Sequence, residues 1–282
     1  MPEHVLVRIV NQNLQHPAAD WSDRLRAGVE RLRPDLLLLQ HVEDAATDIE
    51  QWRLGEMLAM NVAAAPIGDG TMVAVAFDQG QFEQVGLVES GGAAEDGFGY
   101  CAVRLQHRDI RIREQLIAVS CVLTRYSAPL AAQQAQRLGQ LAHSGGGAGV
   151  IGGGINHVPT GDPEPDWDAI PAYRRMAVCR LKTGAGDPWT GDDLVARRLA
   201  AGGFVDIAAR AAELFPSTAA RLRAPTDKTA RGFRGDQLHA TCALAPTMRS
   251  CELVEQGISG HTGIIAELDL TRTDVNGLHA FV

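Results

Sequence analysis

Two short apolar runs, each ending in polar side chains, do most to limit what this chain can fold into. Val5 to Val10 is rich in β-branched residues and leads into Asn11-Gln12-Asn13. Leu36 to Leu39 follows Pro34 and leads into Gln40-His41. Each reads as a buried strand. Between them Trp21, Leu25, Val29 and Leu32 recur at helical spacing until Pro34 ends the pattern, so the opening is strand, helix, strand.

The same punctuation continues along the chain. Strands are predicted at Met72–Phe77, Phe82–Leu87, Tyr100–Leu105, Leu116–Leu123 and Val150–Ile151, the last running into Gly152-Gly153-Gly154-Ile155-Asn156. Helices are predicted at Ala128–Ala142, Asp192–Ala201 and Ile207–Leu214, with a short strand at Phe204-Val205. Gln237–Leu244, Cys251–Glu255 and Gly263–Leu270 read as three further strands, and the proline-rich stretch from Pro159 to Pro171 as a long surface loop. With no low-complexity linker, residues 1–282 are expected to form one domain of two packed sheets flanked by helices.

Composition narrows the function classes. Hydrophobic residues make up 45% and charged residues 21%, which fits a globular chain rather than a disordered one. No apolar run approaches the roughly 20 residues that span a bilayer, and Met1-Pro2-Glu3-His4 lacks a basic leader pattern, so neither a membrane partner nor secretion is expected. The net charge of −8 disfavours nucleic acid, leaving a small-molecule substrate as the expected partner and the oligomeric state open. Arg174-Arg175, Arg221/Arg223 and Arg231/Arg234 read as solvated surface. The five cysteines are odd in number and form no C-x-x-C pair, which favours a reducing, cytoplasmic setting; Cys121 and Cys242 read as core residues.

Asn13, Gln40-His41, Asn156, Asp236 and His261 all fall where apolar strands begin or end, a usual place for sites in mixed α and β folds. Their order resembles the endonuclease/exonuclease/phosphatase superfamily, the group with the deoxyribonuclease fold. Val10-Asn11-Gln12-Asn13-Leu14 is similar to its T-W-N-L, and Pro34-Asp35 through Leu39-Gln40-His41 to its P-D-x-x-x-L-Q-E. Gly153-Gly154-Ile155-Asn156 is similar to G-D-F-N, Gly235-Asp236-Gln237-Leu238 to R-I-D-x-I, and Ser259-Gly260-His261 to S-D-H. The resemblance spans nearly the whole chain. It implies an α+β, four-layer α/β/β/α sandwich of two mixed sheets with the site at one sheet edge.

The departures from that pattern carry as much information. The family's main Mg²⁺ or Mn²⁺ ligand is replaced by His41, its water-activating Asp by Gly154, the Asp of S-D-H by Gly260, and its mid-chain His by Val122. Losing these carboxylates removes most of the charge that attracts a hard cation, so no metal cofactor is expected. Mg²⁺ or Mn²⁺ enters only if substitute ligands exist. Glu43 lies two residues beyond His41, on the same face if the strand stays extended, and is the candidate substitute with His41 itself.

Asn13 and Asn156 match phosphoryl-binding positions of the family, and two such amides could steady an oxyanion. Arg234 is a candidate counter-charge. Asp236 and His261 match its acid–histidine pair, which moves protons without a metal. His41 reads as a second general acid/base, a ligand for a softer ion, or filler for a lost metal site. Three functions follow: a metal-independent acid/base enzyme on a small organic substrate, catalysing cyclisation, elimination or isomerisation; a metal-dependent phosphodiesterase or phosphomonoesterase with substitute ligands; or a non-catalytic binding protein.

Overall fold

A computed structural model describes residues 4–278 apart from 44, 68, 94–96, 183, 185 and 228–231. The opening is a strand–helix–strand step within one sheet: β1 (Leu6–Asn13), α1 (Trp21–Leu32) and β2 (Leu36–Val42), with β1 and β2 parallel and Asn13 opposite Gln40. A capping box on Thr47 starts α2 (Asp48–Leu58), which precedes β3 (Asn61–Pro66) and β4 (Met72–Phe77). β5 (Phe82–Ala93), β6 (Phe98–His107) and β7 (Gln115–Val122) form an antiparallel run, followed by α3 (Ala128–His143) and β8 (Ala148–Gly154). The remainder comprises α4 (Ala172–Val178), α5 (Leu194–Ala201), β9 (Phe204–Asp206), α6 (Ile207–Leu214), α7 (Ala219–Leu222), β10 (Asp236–Thr241), β11 (Met248–Val254) and β12 (Gly263–Asp269).

These strands form two six-stranded mixed sheets, ordered β11-β12-β1-β2-β4-β3 and β5-β6-β7-β8-β10-β9. Alternation along each strand sorts the core into layers. Ile9, Leu36, Leu38 and Val75 of the first sheet meet Val103, Ala118, Val150 and Leu238 of the second. The opposite face of the first sheet, with Val10, Leu37 and Leu39, packs on Leu25 of α1 and Leu54 and Leu58 of α2. The outer face of the second, with Val119 and Ile151, packs on Ala131 and Leu138 of α3 and Val195 and Leu199 of α5. The result is the expected four-layer α/β/β/α sandwich.

Two expectations need correction. The stretch from Pro159 onward is more than a surface loop: Trp167, Ile170, Val178 and Cys179 bury against Val158 and Phe233 as a small core of their own, and α4 forms within it. The strand predicted to reach Leu244 ends at Thr241, where the chain tightens into a 3₁₀ turn and leaves Cys242 exposed. All five cysteines are unpaired. Among the described residues no helix is long and apolar enough to cross a membrane.

Candidate active site

The polar strand ends converge on one edge of the sandwich because of strand direction. Asn13 ends β1; Gly154 ends β8, which runs parallel to β7, with Val122 opposite it. β10 runs antiparallel to β8, so its first residue, Asp236, lies directly opposite Gly154. β12 runs antiparallel to β1, which brings His261, two residues before β12, to the same edge.

There Asn13, Asp236 and His261 form one buried hydrogen-bonded chain. Asn13 Nδ2 donates to Asp236 Oδ1 at 2.8 Å, and Asp236 Oδ2 lies 2.7 Å from His261 Nδ1. All three are buried. Supports surround the chain on each side. Thr226 Oγ1 accepts from the Asp236 backbone N–H, Gln15 donates its backbone N–H to Asn13 Oδ1, and Ser259 Oγ donates to the Asn13 carbonyl while accepting from the His261 backbone N–H. Ser259 therefore ties the His261 turn to the end of β1. A carboxylate held at Nδ1 fixes the imidazole tautomer and assigns proton exchange to Nε2.

His41 is placed differently. Its Nδ1 lies 3.0 Å from Asp69 Oδ2 and 3.2 Å from Thr71 Oγ1, both in the turn between β3 and β4. The imidazole of His41 holds the Asp69 carboxyl well below its ordinary range, against its partial burial and with help from Thr71. These partners, rather than Asp236 or His261, are where its hydrogen bonds go. The pairing was not legible beforehand because Asp69 looks like any turn aspartate.

Glu43 does not share the face of His41. The backbone at His41 turns left-handed (φ 55°), the pairing of β2 with β4 shifts register there, and the strand ends at Val42. Two-residue alternation requires an extended chain, so it fails at this point, and Glu43 is exposed.

The pair of asparagines does not form a two-amide cradle. Asn156, at φ 65°, directs Nδ2 to the backbone carbonyls of Leu123 and Gly154 at 2.7 and 3.0 Å, so both its amide hydrogens are engaged. One of Asn13's is committed to Asp236. Arg234 is not a counter-charge at the site either. It is completely buried, and its guanidinium is held by Asp162 at 3.0 and 3.2 Å and by Asp206 at 2.9 and 2.8 Å. Burial pushes the Asp206 carboxyl up, yet Arg234, with His239 and the α6 amides, brings it down to about 2. Arg234 thus clamps the Pro159–Pro171 stretch to the start of α6.

The family's metal-site positions contain little that binds a hard cation. Gly154 offers no side chain, and a Cβ built on it would lie 3.5 Å from Asn13 Nδ2 and 3.6 Å from Asn156 Nδ2, in open van der Waals contact. Among the described residues no three His, Cys, Asp or Glu side chains are grouped to hold an ion. Next to the site lies an open cleft of about 250 Å³, lined by Asn156, Arg125, Tyr126, Tyr173 and Arg174 over an apolar wall that includes Ile170 and Phe233. It depends on the Pro159–Pro171 stretch being folded. Of the other basic clusters, Arg175 donates to the Trp167 carbonyl and Arg221 to the Leu253 carbonyl, whereas Arg231 lies outside the described residues.

Solved structures share this arrangement of two paired mixed sheets, the endonuclease/exonuclease/phosphatase superfamily fold. The endonuclease/exonuclease/phosphatase from Bacteroides vulgatus superposes with a TM-score of 0.62 at 13% identity, covering 94% of this chain and 98% of that one. The human Nocturnin catalytic domain with bound sulfate gives 0.61 at 14% identity, covering 93% and 92%. D. rerio TDP2 complexed with a single-strand DNA product gives 0.62 at 11% identity, covering 93% and 98%. No protein-family profile matches the sequence, and no curated protein sequence does. This chain has the superfamily's fold.

Proposed function

We propose that the protein is a metal-independent acid/base enzyme in which His261 exchanges protons with a small organic substrate and Asp236 stabilises the imidazolium. The observation that carries this reading is the buried Asn13–Asp236–His261 chain, with contacts of 2.8 and 2.7 Å. In the reaction, Nε2 of His261 takes a proton from the substrate and returns it to another substrate atom in an isomerisation, or to the departing group in an elimination or cyclisation. Asp236 remains a carboxylate throughout, and the amide of Asn13 holds it in place. A positioned acid/base group of this kind contributes roughly 10²–10⁴ in rate.

The donor set speaks for chemistry without a resident Mg²⁺ or Mn²⁺. Both Asp236 oxygens already have protein partners, Gly154 has no donor, and His41 is turned to Asp69 and Thr71. Such a set does not fit a cation that prefers carboxylates and water. The test is incubation in D₂O with EDTA and a mixture of small carboxylated and phosphorylated metabolites, followed by mass spectrometry. Deuterium incorporation or mass-neutral conversion that disappears in His261→Ala is the expected result. Hydrolysis of phosphoesters that requires Mg²⁺ or Mn²⁺, or no turnover under any condition, overturns the reading.

A further inference from the structure

The cleft beside Asn156 is furnished in a way the acid–histidine chain does not explain. Arg125 and Arg174 both line it, and among the described residues neither has a carboxylate partner. Their only charged-group contacts are with rings: the Arg125 guanidinium lies 5.7 Å from the Tyr126 centroid, and that of Arg174 lies 6.0 Å from the Tyr173 centroid. Among the described residues no acidic side chain lines the cleft. Nη1 of Arg174 is buried and has no hydrogen-bond acceptor. A buried N–H of a cation left without an acceptor is costly, and native proteins rarely keep one unless something else supplies the acceptor.

The rings in this cleft are equally unusual. Tyr126 and Tyr173 are 66% and 69% exposed, although tyrosine is ordinarily intermediate in burial. They stand over the apolar wall of Ile170 and Phe233, both buried in the small core of the Pro159–Pro171 region. The cleft therefore offers flat apolar surface and guanidinium donors together. A guanidinium pairs with a carboxylate or phosphate through parallel N–H donors, and aromatic walls favour a planar ring.

We infer that this cleft binds a small aromatic anion, its ring against Tyr126 and Tyr173 and its carboxylate or phosphate on Arg174 and Arg125. The binding stands apart from the acid/base reading above. On a chain of net charge −8, two guanidiniums without acidic neighbours form a local exception that selects a small anion over an extended polyanion.

Calorimetric titration of the full chain with phenyl phosphate and with benzoate tests the binding. Phenol and inorganic phosphate serve as the ring without the anion and the anion without the ring. The expected result is binding of at least one aromatic anion, at least about tenfold tighter than either control, with the better of the two identifying phosphate or carboxylate as the anionic group. Arg174→Gln should weaken it about tenfold or more and Tyr173→Ala several-fold, both with unchanged circular dichroism, whereas His261→Ala should retain it. Binding of neither aromatic anion, equal binding of inorganic phosphate, or an affinity unmoved by Arg174→Gln overturns the proposal. Because His261→Ala is read for binding and the deuterium experiment for turnover, failure of the cleft and failure of the acid/base reading give different results.

Discussion

Arg234 and Arg174 both lie close to the strand edge that carries Asp236 and Asn156, but their surroundings are opposite. Arg234 has four hydrogen bonds to two carboxylates and no exposed surface; Arg174 faces a cleft, leans on an exposed tyrosine and has no acid beside it. The first belongs to a frame that is complete without any ligand. The second belongs to a surface whose donors lack acceptors. The same contrast appears within three consecutive glycines, where one position is filled by the frame and the next opens onto the site. Framework charges are thus neutralised internally, while charges available for binding are left unneutralised by the protein.

The sharpest way to break the comparison is to remove each arginine in turn. Arg234→Met strands two carboxylates and should cost about 3–5 kcal/mol in urea denaturation, whereas Arg174→Met should leave stability unchanged or raised, since it removes an N–H without an acceptor. Equal losses would mean that Arg174 also belongs to the frame. Asp236→Asn should keep the fold and lower turnover by roughly 10²–10⁴, once a substrate is in hand, because the imidazolium loses its counter-charge.

The glycines provide a comparison at a single step along β8. A Cβ on Gly153 would lie 1.8 Å from the Cys121 carbonyl oxygen, so Gly153→Ala should destabilise by about 3 kcal/mol or more. At Gly154 the nearest contact is 3.5 Å, and Gly154→Ala should cost less than about 1 kcal/mol by thermal denaturation. A large loss at Gly154 would show that the site floor is as tightly packed as the frame.

The pH dependence of stability is the smallest of these effects and concerns the frame alone. Burial lowers the proton affinity of His107 and His239, so the fold takes up their protons less readily than the unfolded chain does. The unfolded chain takes up those protons near the ordinary histidine value of 6.5, so their contribution is full above that pH and declines as pH falls below it. Asp206, lowered from 3.8 to about 2, adds stability that is present above its ordinary value and lost as pH falls toward 2. Denaturation midpoints should therefore drop in two stages on acidification. Asp206→Asn should shrink the lower one, which Asp69 and Asp269 also feed, and a profile flat from pH 7 to 3 would contradict the buried charges described here.

The positions that were readable beforehand share a property: their meaning lies in strand ends and motif order. Asn13, Asp236 and His261 stand at those ends, and α1, β4 and α6 have the bounds their apolar spacing predicts. α2 was not readable because its apolar residues do not gather on one face; Ile49 and Trp52 are each 64% exposed. β3 carries little pattern for a related reason, being largely alanine, and Asp69 carries no signal beyond that of a turn former.

What the sequence by itself determined is the order of buried strands, the two-sheet sandwich and the polar residues at its edge, because periodicity and chain punctuation are local properties. Which of those residues touch was decided only by tertiary structure. Asn13 and Asp236 are 223 residues apart, and Arg234 meets Asp162 across 72. Packing of β1 in the first sheet against β8 and β10 in the second brings the first contact about. The folded Pro159–Pro171 stretch brings about the second. A charge acquires its role from the partner that packing supplies, and that partner cannot be read from neighbouring positions in the chain.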